Sequence, residues 1–336
     1  MSEIGIVEEV RASVVEARHR VHAVVVRTSD GALVASTGDP DHVTPLRSAA
    51  KPLQALPAVR DGVIERFGLA DRHLAIACAS HEGTPAHTAC VAELLALAGI
   101  PISALRPRGL HAPLDEAAAR ALALAGRLPT QLEHNCSGNH ALFLAREAFH
   151  GRDLAAYLAA AGPAQRDATQ ACVDALAVEL GEGCDRCGMC AYSAPLRAAA
   201  LAYGRLASGC LPAPWREAGA QIARAMRSRP EMIAAEGSFD TLALRLPGVV
   251  CKRGALGVFC CGSSLSGLAG ALKVEDGSSI AMESAAAALL VAIGADPTPE
   301  ILAFQDRPIL DGDGGIVGFW QTSIVLQSHL RHSDQK

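Results

Sequence analysis

Five short segments of this 336-residue chain concentrate Gly, Pro, Ser, His, Cys and Lys: RSAAKPLQALP (47–57), CASHEGTPAH (78–87), HNCSGNHALFL (134–144), CDRCGMCAYSAPL (184–196) and CKRGALGVFC (251–260). Polar segments of this kind on an apolar scaffold are where function concentrates. In the first, Ser48 and Lys51 stand three apart. If the stretch opens a helix, their side chains share one face within contact reach. Pro52 suits such a first turn, whose N–H groups have no intrahelical use. A serine hydroxyl is a weak nucleophile near neutral pH, and a lysine partly stripped of water can lose its proton and serve as the base. The same tetrapeptide also fits a helix cap followed by a surface lysine. The small, apolar Ala49 and Ala50 favour the buried turn. Arg47, next to Ser48, has the guanidinium fork that matches a carboxylate.

Ser80 ends the apolar run IACAS, which reads as a strand. A polar group at the end of a buried strand is a common position for an active-site residue. The competing reading is a helix N-cap for a segment starting near Thr84. Lys252 lies between Val249–Val250 and Gly254, so it is either an edge-strand charge or a desolvated base. His81, His87 and His140 sit beside these motifs, where each could orient a carboxylate or serve as a hydrogen-bonded structural residue.

The chain has eleven cysteines, an odd number. In a reducing compartment each is a buried small hydrophobe, a ligand or a nucleophile rather than part of a disulfide framework. Cys184, Cys187 and Cys190 repeat at two-residue gaps, a common zinc-chelating spacing, and equally the pattern of three thiols around a buried turn.

The elements that must position these groups follow from hydrophobic period. Residues 21–27, 74–79, 255–260 and 268–275 read as strands, and 115–126, 164–180, 194–208, 214–228 and 281–293 as helices. Interspersed strands and helices specify an α/β or α+β domain. Aromatics are only 4% of the chain, so Ala, Leu and Val must build the core. Half the residues are hydrophobic and 19% are charged, which excludes extended disorder. A net charge of −5 gives no electrostatic reason to expect nucleic acid or an anionic membrane as partner. No apolar stretch approaches the roughly 20 residues of a membrane span. The N-terminus lacks the apolar core of a secretory signal, so a cytoplasmic protein is expected. Residues 1–327 read as one domain, with room for two packed lobes, followed by a flexible tail over 328–336.

Taken in order, RSAAKP, CASH, NCSGxH, DxCG, RPEMxAxEG and VxKxGA resemble the Rhizobium etli-type, or class 3, L-asparaginases. The resemblance runs from about Val21 to LKVEDGSS (272–279) and thins beyond it. It implies a fold similar to serine β-lactamases and serine-dependent glutaminases, a homodimer, and L-asparagine as substrate. It also implies two Ser–Lys pairs, Ser48 with Lys51 and Ser80 with Lys252, and a zinc ion held by Cys136 and Cys187 with Asp185 close by. The rival readings are a glutaminase or β-lactam-handling hydrolase of the same fold, and a non-catalytic zinc-binding protein. One departure stands out. The family's metal site has a lysine three residues after the first cysteine, whereas this chain has Asn139, an amide and a poorer zinc donor. Cys184 or Cys190 could fill that position. Arg47, His140 and Asp185 are the residues expected to bind substrate.

Overall fold

The protein is described by a computed structural model covering residues 3–109 and 112–329. The strands are β1 (Gly5–Arg11), β2 (Val14–Arg27), β3 (Leu33–Thr37), β4 (Val43–Pro45), β5 (Gly181–Cys184), β6 (Cys190–Pro195), β7 (Val249–Gly254), β8 (Val258–Ser263), β9 (Leu268–Val274), β10 (Pro308–Leu310), β11 (Ile316–Ser323) and β12 (Gln327–Ser328). The α-helices are α1 (Lys51–Gln54), α2 (Leu56–Arg60), α3 (Val63–Arg66), α4 (Asp71–Ala77), α5 (Pro85–Leu97), α6 (Glu116–Leu124), α7 (Ser137–Phe149), α8 (Pro163–Leu176), α9 (Leu196–Ala207), α10 (Arg216–Ser228), α11 (Phe239–Leu244), α12 (Ser279–Ala292) and α13 (Pro299–Leu302). The mixed α/β class read from the sequence is the class observed.

Two compact units share the chain. The sheet unit comprises the segment up to Ala49, Ser193–Ser208, and the segment from Ala243 on. The helical unit comprises Ala50–Tyr192 and Gly209–Leu242.

In the sheet unit the strand order is β10-β11-β1-β2-β9-β8-β7, with β3 also paired to β2 and β12 to β3. The neighbouring pairs are antiparallel. The run VHAVVVR at 21–27 is the C-terminal half of β2 and is buried from Val21 to Val26, which a strand covered on both faces requires. Two glycines identify those covers. A Cβ on Gly204 of α9 would come within 2.8 Å of Ala269, while a Cβ on Gly270 would come within 2.7 Å of Leu289 of α12. Ala269 and Gly270 are consecutive on β9 and so point to opposite faces. Helices α9 and α12 therefore sandwich the sheet. Ser328 pairs with Ala35, and His329 hydrogen-bonds Ser36 at 2.9 Å, so the start of the expected tail is tied to β3. Residues 330–336 of that tail lie outside the described residues.

In the helical unit, α4 packs against α5, α7 and α10, and α8 packs against α1, α2 and α7. Helix α8 buries Ala164, Ala168, Ala171 and Ala175, a stripe at helical spacing whose small side chains allow close approach. Gly138, in the first turn of α7, has no room for a Cβ, which would meet the carbonyl oxygen of Ile76 on α4. This contact brings the start of α7 against the end of α4. Among the described residues no helix is long and apolar enough to cross a membrane.

Two expected strands differ. The run 74–79 is not a strand but the end of α4, because an apolar run this short carries no period that separates strand from helix. His73 supports the helix by accepting the Ala70 N–H at 2.9 Å, one of the donors that a helix start leaves unsatisfied. The strand expected at 255–260 begins only at Val258, since 255–257 is the β7–β8 turn, with Leu256 and Gly257 at φ of 61° and 76°.

Close packing of α9 on the sheet has a measurable consequence. A Cβ at Gly262 of β8 would meet the Tyr203 carbonyl of α9. Gly262→Ala is expected to lower the unfolding free energy by roughly 1–3 kcal/mol in a urea titration, whereas the same change at open Gly183 should cost less than half as much.

Candidate active site

The sequence-designated residues divide between the two units. A 3-10 turn, Arg47–Ala50, runs directly along the chain into α1, with Ser48 in the turn and Lys51 the first residue of the helix. Arg47 enters this turn at φ 51°, a left-handed conformation that a non-glycine residue holds only where its surroundings fix it, and such strain gathers at functional sites. The fixing contacts are visible. The Ala49 N–H donates to Leu46 O at 3.0 Å, and the buried Tyr203 hydroxyl donates to Ala49 O at 2.7 Å. A Cβ at Gly254 of β7 would meet Leu46 O. Lys252, two residues earlier, lies on that same face of β7. Its side chain is buried at 1% exposure on a strand that ends the sheet, and its Nζ donates to Arg253 O at 3.0 Å. Lys252 thus combines an edge-strand position with a buried side chain. Arg47 lines a cavity of about 110 Å³ with Thr44, Leu256, Lys273, Glu275 and Asp276.

In the helical unit, three of the five segments meet around one amine. Lys51 is 4% exposed, and its Nζ donates to Ala79 O at 2.6 Å, Ser80 Oγ at 3.1 Å and Cys136 Sγ at 3.2 Å. Ser80 is half-buried and follows α4; the N-cap of the next helix is Thr84, whose hydroxyl accepts the His87 N–H, so Ser80 is free of that capping role. The thiol of Cys136 is held well below its ordinary range, chiefly by the hydrogen bond from Cys187 and further by the charge of Lys51. The same hydrogen bond, with burial, pushes Cys187 far up.

The remaining designated residues flank this centre. His140 is fully buried, and its Nδ1 is 2.8 Å from the Tyr157 hydroxyl. That hydroxyl also accepts the Arg106 N–H at 2.9 Å. Burial pushes His140 down to about 3, so the ring is neutral. Its Nε2 and the Oδ1 of Asn139 are buried with no hydrogen-bond partner, while Asn139 Nδ2 donates to Ala77 O at 3.2 Å. Asp185 is half-buried in the 185–188 turn and accepts the Arg186 N–H at 2.7 Å. Cys184 is exposed and Cys190 half-buried.

A zinc ion needs about four converging N, S or O donors. Among the described residues no three His, Cys, Asp or Glu side chains converge in that way. His134 spends its Nδ1 on the Cys136 N–H at 3.0 Å, and the remaining donor on that helical turn is an amide oxygen. This donor set falls short of a zinc site, and no chemistry below is routed through a metal.

Two contributors were not legible beforehand. Tyr157 carries no motif at all, and its place against His140 depends on tertiary packing. The Lys51–Cys136 contact joins residues 85 apart that the sequence assigns to separate tasks.

The sequence pattern of L-asparaginase II matches residues 7–321. The chain belongs to the L-asparaginase II family. The family is one of asparaginase-type amidohydrolases, so this member is a hydrolase acting on a small molecule. No curated protein matches the chain. Solved structures similar to it include a β-lactamase from Mycobacterium bovis, 14% identical over 81% of this chain and 94% of that one at a TM-score of 0.36. SurE with D-Leu is 16% identical over 82% and 72%, also at 0.36.

Burial of neutral histidines in this family member makes its stability depend on pH. His81 is fully buried and lowered well below 6.5 by burial, and His87 is lowered for the same reason. The unfolded chain therefore takes up protons first as pH falls below about 6.5, and folded-state stability, full at pH 7, declines from there. The slope is up to about 1.4 kcal/mol per pH unit for each such histidine. Thermal unfolding at pH 5 should thus occur well below that at pH 7, and replacing His81 by Gln should flatten the dependence.

Proposed function

We propose that this chain hydrolyses the side-chain amide of L-asparagine to L-aspartate and ammonia, with Ser48 as nucleophile and Lys51 as its base. The observation that carries the reading is the Lys51 amine, one helical turn after Ser48 and within 3.1 Å of Ser80 Oγ. A lysine base works from its neutral form, with a lone pair facing the hydroxyl it deprotonates. The Ser48 proton passes to that lone pair, Ser48 Oγ bonds to the amide carbon, and the tetrahedral adduct collapses. The C–N bond breaks and ammonia leaves with the proton returned from the lysine. Water then hydrolyses the aspartyl ester by the same proton path and restores Ser48. Ser80, hydrogen-bonded to Lys51, relays or steadies the proton. Lys252 is the reserve amine on the β7 face that carries Leu46. Arg47 would pair with the α-carboxylate through its guanidinium fork. Family membership supports the amide chemistry, and the residue roles rest on the Ser48–Lys51 spacing and the Lys51 hydrogen bonds.

Ser48→Ala should lower kcat for ammonia release from asparagine by about a thousandfold or more with the unfolding midpoint nearly unchanged, and Lys51→Ala should do similar damage. Members of one catalytic unit are not additive, so the double variant should be little worse than either single one. If Ser48→Ala retained most of its turnover while Ser80→Ala lost it, Ser80 would be the nucleophile. With glutamine supplied in parallel, a higher kcat/KM on glutamine would replace the substrate but not the mechanism.

Because a base must be neutral to act, kcat/KM should climb from pH 6 towards an optimum at about pH 8 to 9. A flat profile across that range would exclude a lysine base.

A further inference from the structure

We propose that the cavity beside Arg47 in the sheet unit holds the charged end of a free α-amino acid, with its carboxylate on Arg47 and Thr44 and its ammonium on Glu275 and Asp276. Three observations carry this. Thr44 lines the cavity and is 1% exposed, and its Oγ1 is buried with no hydrogen-bond partner. A buried hydroxyl without a partner is costly, and a ligand that supplies an acceptor removes the cost. The lining also carries both signs of charge, since Arg47 and Lys273 border the same space as Glu275 and Asp276. Finally, two non-glycine residues held at positive φ, Arg47 at 51° and Leu256 at 61°, line this one cavity, and such strain gathers at functional sites.

The wall of the cavity is a built one. Lys273 Nζ donates to Leu256 O at 2.7 Å and to Val274 O, which ties the β7–β8 turn to the end of β9. Two glycines permit that approach: a Cβ on Gly257 would come within 2.9 Å of Val274, and one on Gly277 within 3.1 Å of Leu256. A cavity of about 150 Å³ takes benzene, so one of about 110 Å³ takes about five heavy atoms. That is the size of the carboxylate, Cα and amine of an amino acid. The carboxylate matches the planar fork of Arg47, and the Thr44 hydroxyl adds a donor. Glu275 lies 2.9 Å from His22 Nε2 and 3.1 Å from Arg20 Nε, and Asp276 lies 2.6 Å from His19 Nδ1. These contacts hold both exposed carboxylates in place and leave lone pairs for an ammonium. The same two acids disfavour a multiply charged anion such as phosphate.

Arg47 directly precedes Ser48, so the amino acid held here is the substrate of the proposed amidase; that half of the proposal rests on the amidase reading, and the binding half does not. The test titrates the full chain by calorimetry with L-aspartate, the unreactive product. Succinate, which lacks the amine, β-alanine, which lacks the α-carboxylate, and inorganic phosphate are titrated in parallel. L-Aspartate should bind, and the two truncated analogues should bind about tenfold more weakly or worse, because a site built around a polar group rejects the ligand without it. Thr44→Val should weaken aspartate binding about tenfold without lowering the ligand-free unfolding midpoint, and Thr44→Ser should retain it. Glu275→Gln should narrow the gap between aspartate and succinate. In ammonia release from asparagine, Thr44→Val should raise KM more than it lowers kcat. No aspartate binding by the unaltered chain, equal affinity in Thr44→Val, or phosphate bound as tightly as aspartate would overturn the site. A ligand-free midpoint lowered by Thr44→Val would overturn the role of the hydroxyl in binding. Aspartate binding lost in Thr44→Val with KM unchanged would overturn the link to the substrate. Absence of amidase activity in the unaltered chain would count against the proposed function alone, since calorimetry still decides the site.

Discussion

The contact on which the rest of the site depends is the burial of the Lys51 amine among Ala79 O, Ser80 Oγ and Cys136 Sγ. An amine removed from water is costly unless its N–H groups are satisfied, and here three acceptors lie within 3.2 Å of the nitrogen. That requirement fixes the positions of three chain segments at once. The end of α4 supplies a carbonyl and a hydroxyl, and the residue that precedes α7 supplies a sulfur. Gly138 is the steric condition for this arrangement, because any side chain there would hold α7 away from Ile76. A backbone glycine in one helix thus decides whether a lysine in another can be aimed.

Within the sheet unit, the turn that contains Ser48 is held by its own contacts. Left-handed Arg47 is a strained residue, and the strain persists because the Tyr203 hydroxyl and the packing of Gly254 against Leu46 over-determine the turn. Tyr203 belongs to α9, and α9 is locked to the sheet by the bare backbones of Gly204 and Gly262. Small residues therefore recur wherever backbone must approach backbone, consistent with a core built largely from Ala, Val and Leu.

Much of this was legible in the sequence, for identifiable reasons. The buried run 21–27, strand 268–275 and the long alanine-rich helices have clear periods, and the Ser48–Lys51 spacing gave the right local structure. The run 74–79 was misread because IACA has no period of its own, and only its neighbours, His73 and the packing partners of α4, make it helical. Lys252 stayed ambiguous between edge and core because both descriptions are true of it. The Lys51–Cys136 contact and the role of Tyr157 were invisible for a different reason: each depends on how close α7 lies to its neighbours, and no local pattern encodes that distance. Asn139 was singled out as a weak metal donor, and in the fold its Nδ2 donates to Ala77 O while its Oδ1 is buried without a partner.

The most direct measurement of the central claim is to mix the enzyme with asparagine, quench in acid during turnover, and locate any covalent adduct by peptide mass spectrometry. The account requires one aspartyl group esterified to the peptide carrying Ser48, absent without substrate and absent in Ser48→Ala. An adduct on Ser80, or rapid ammonia release with Ser48 never modified and Ser48→Ala still active, would contradict it.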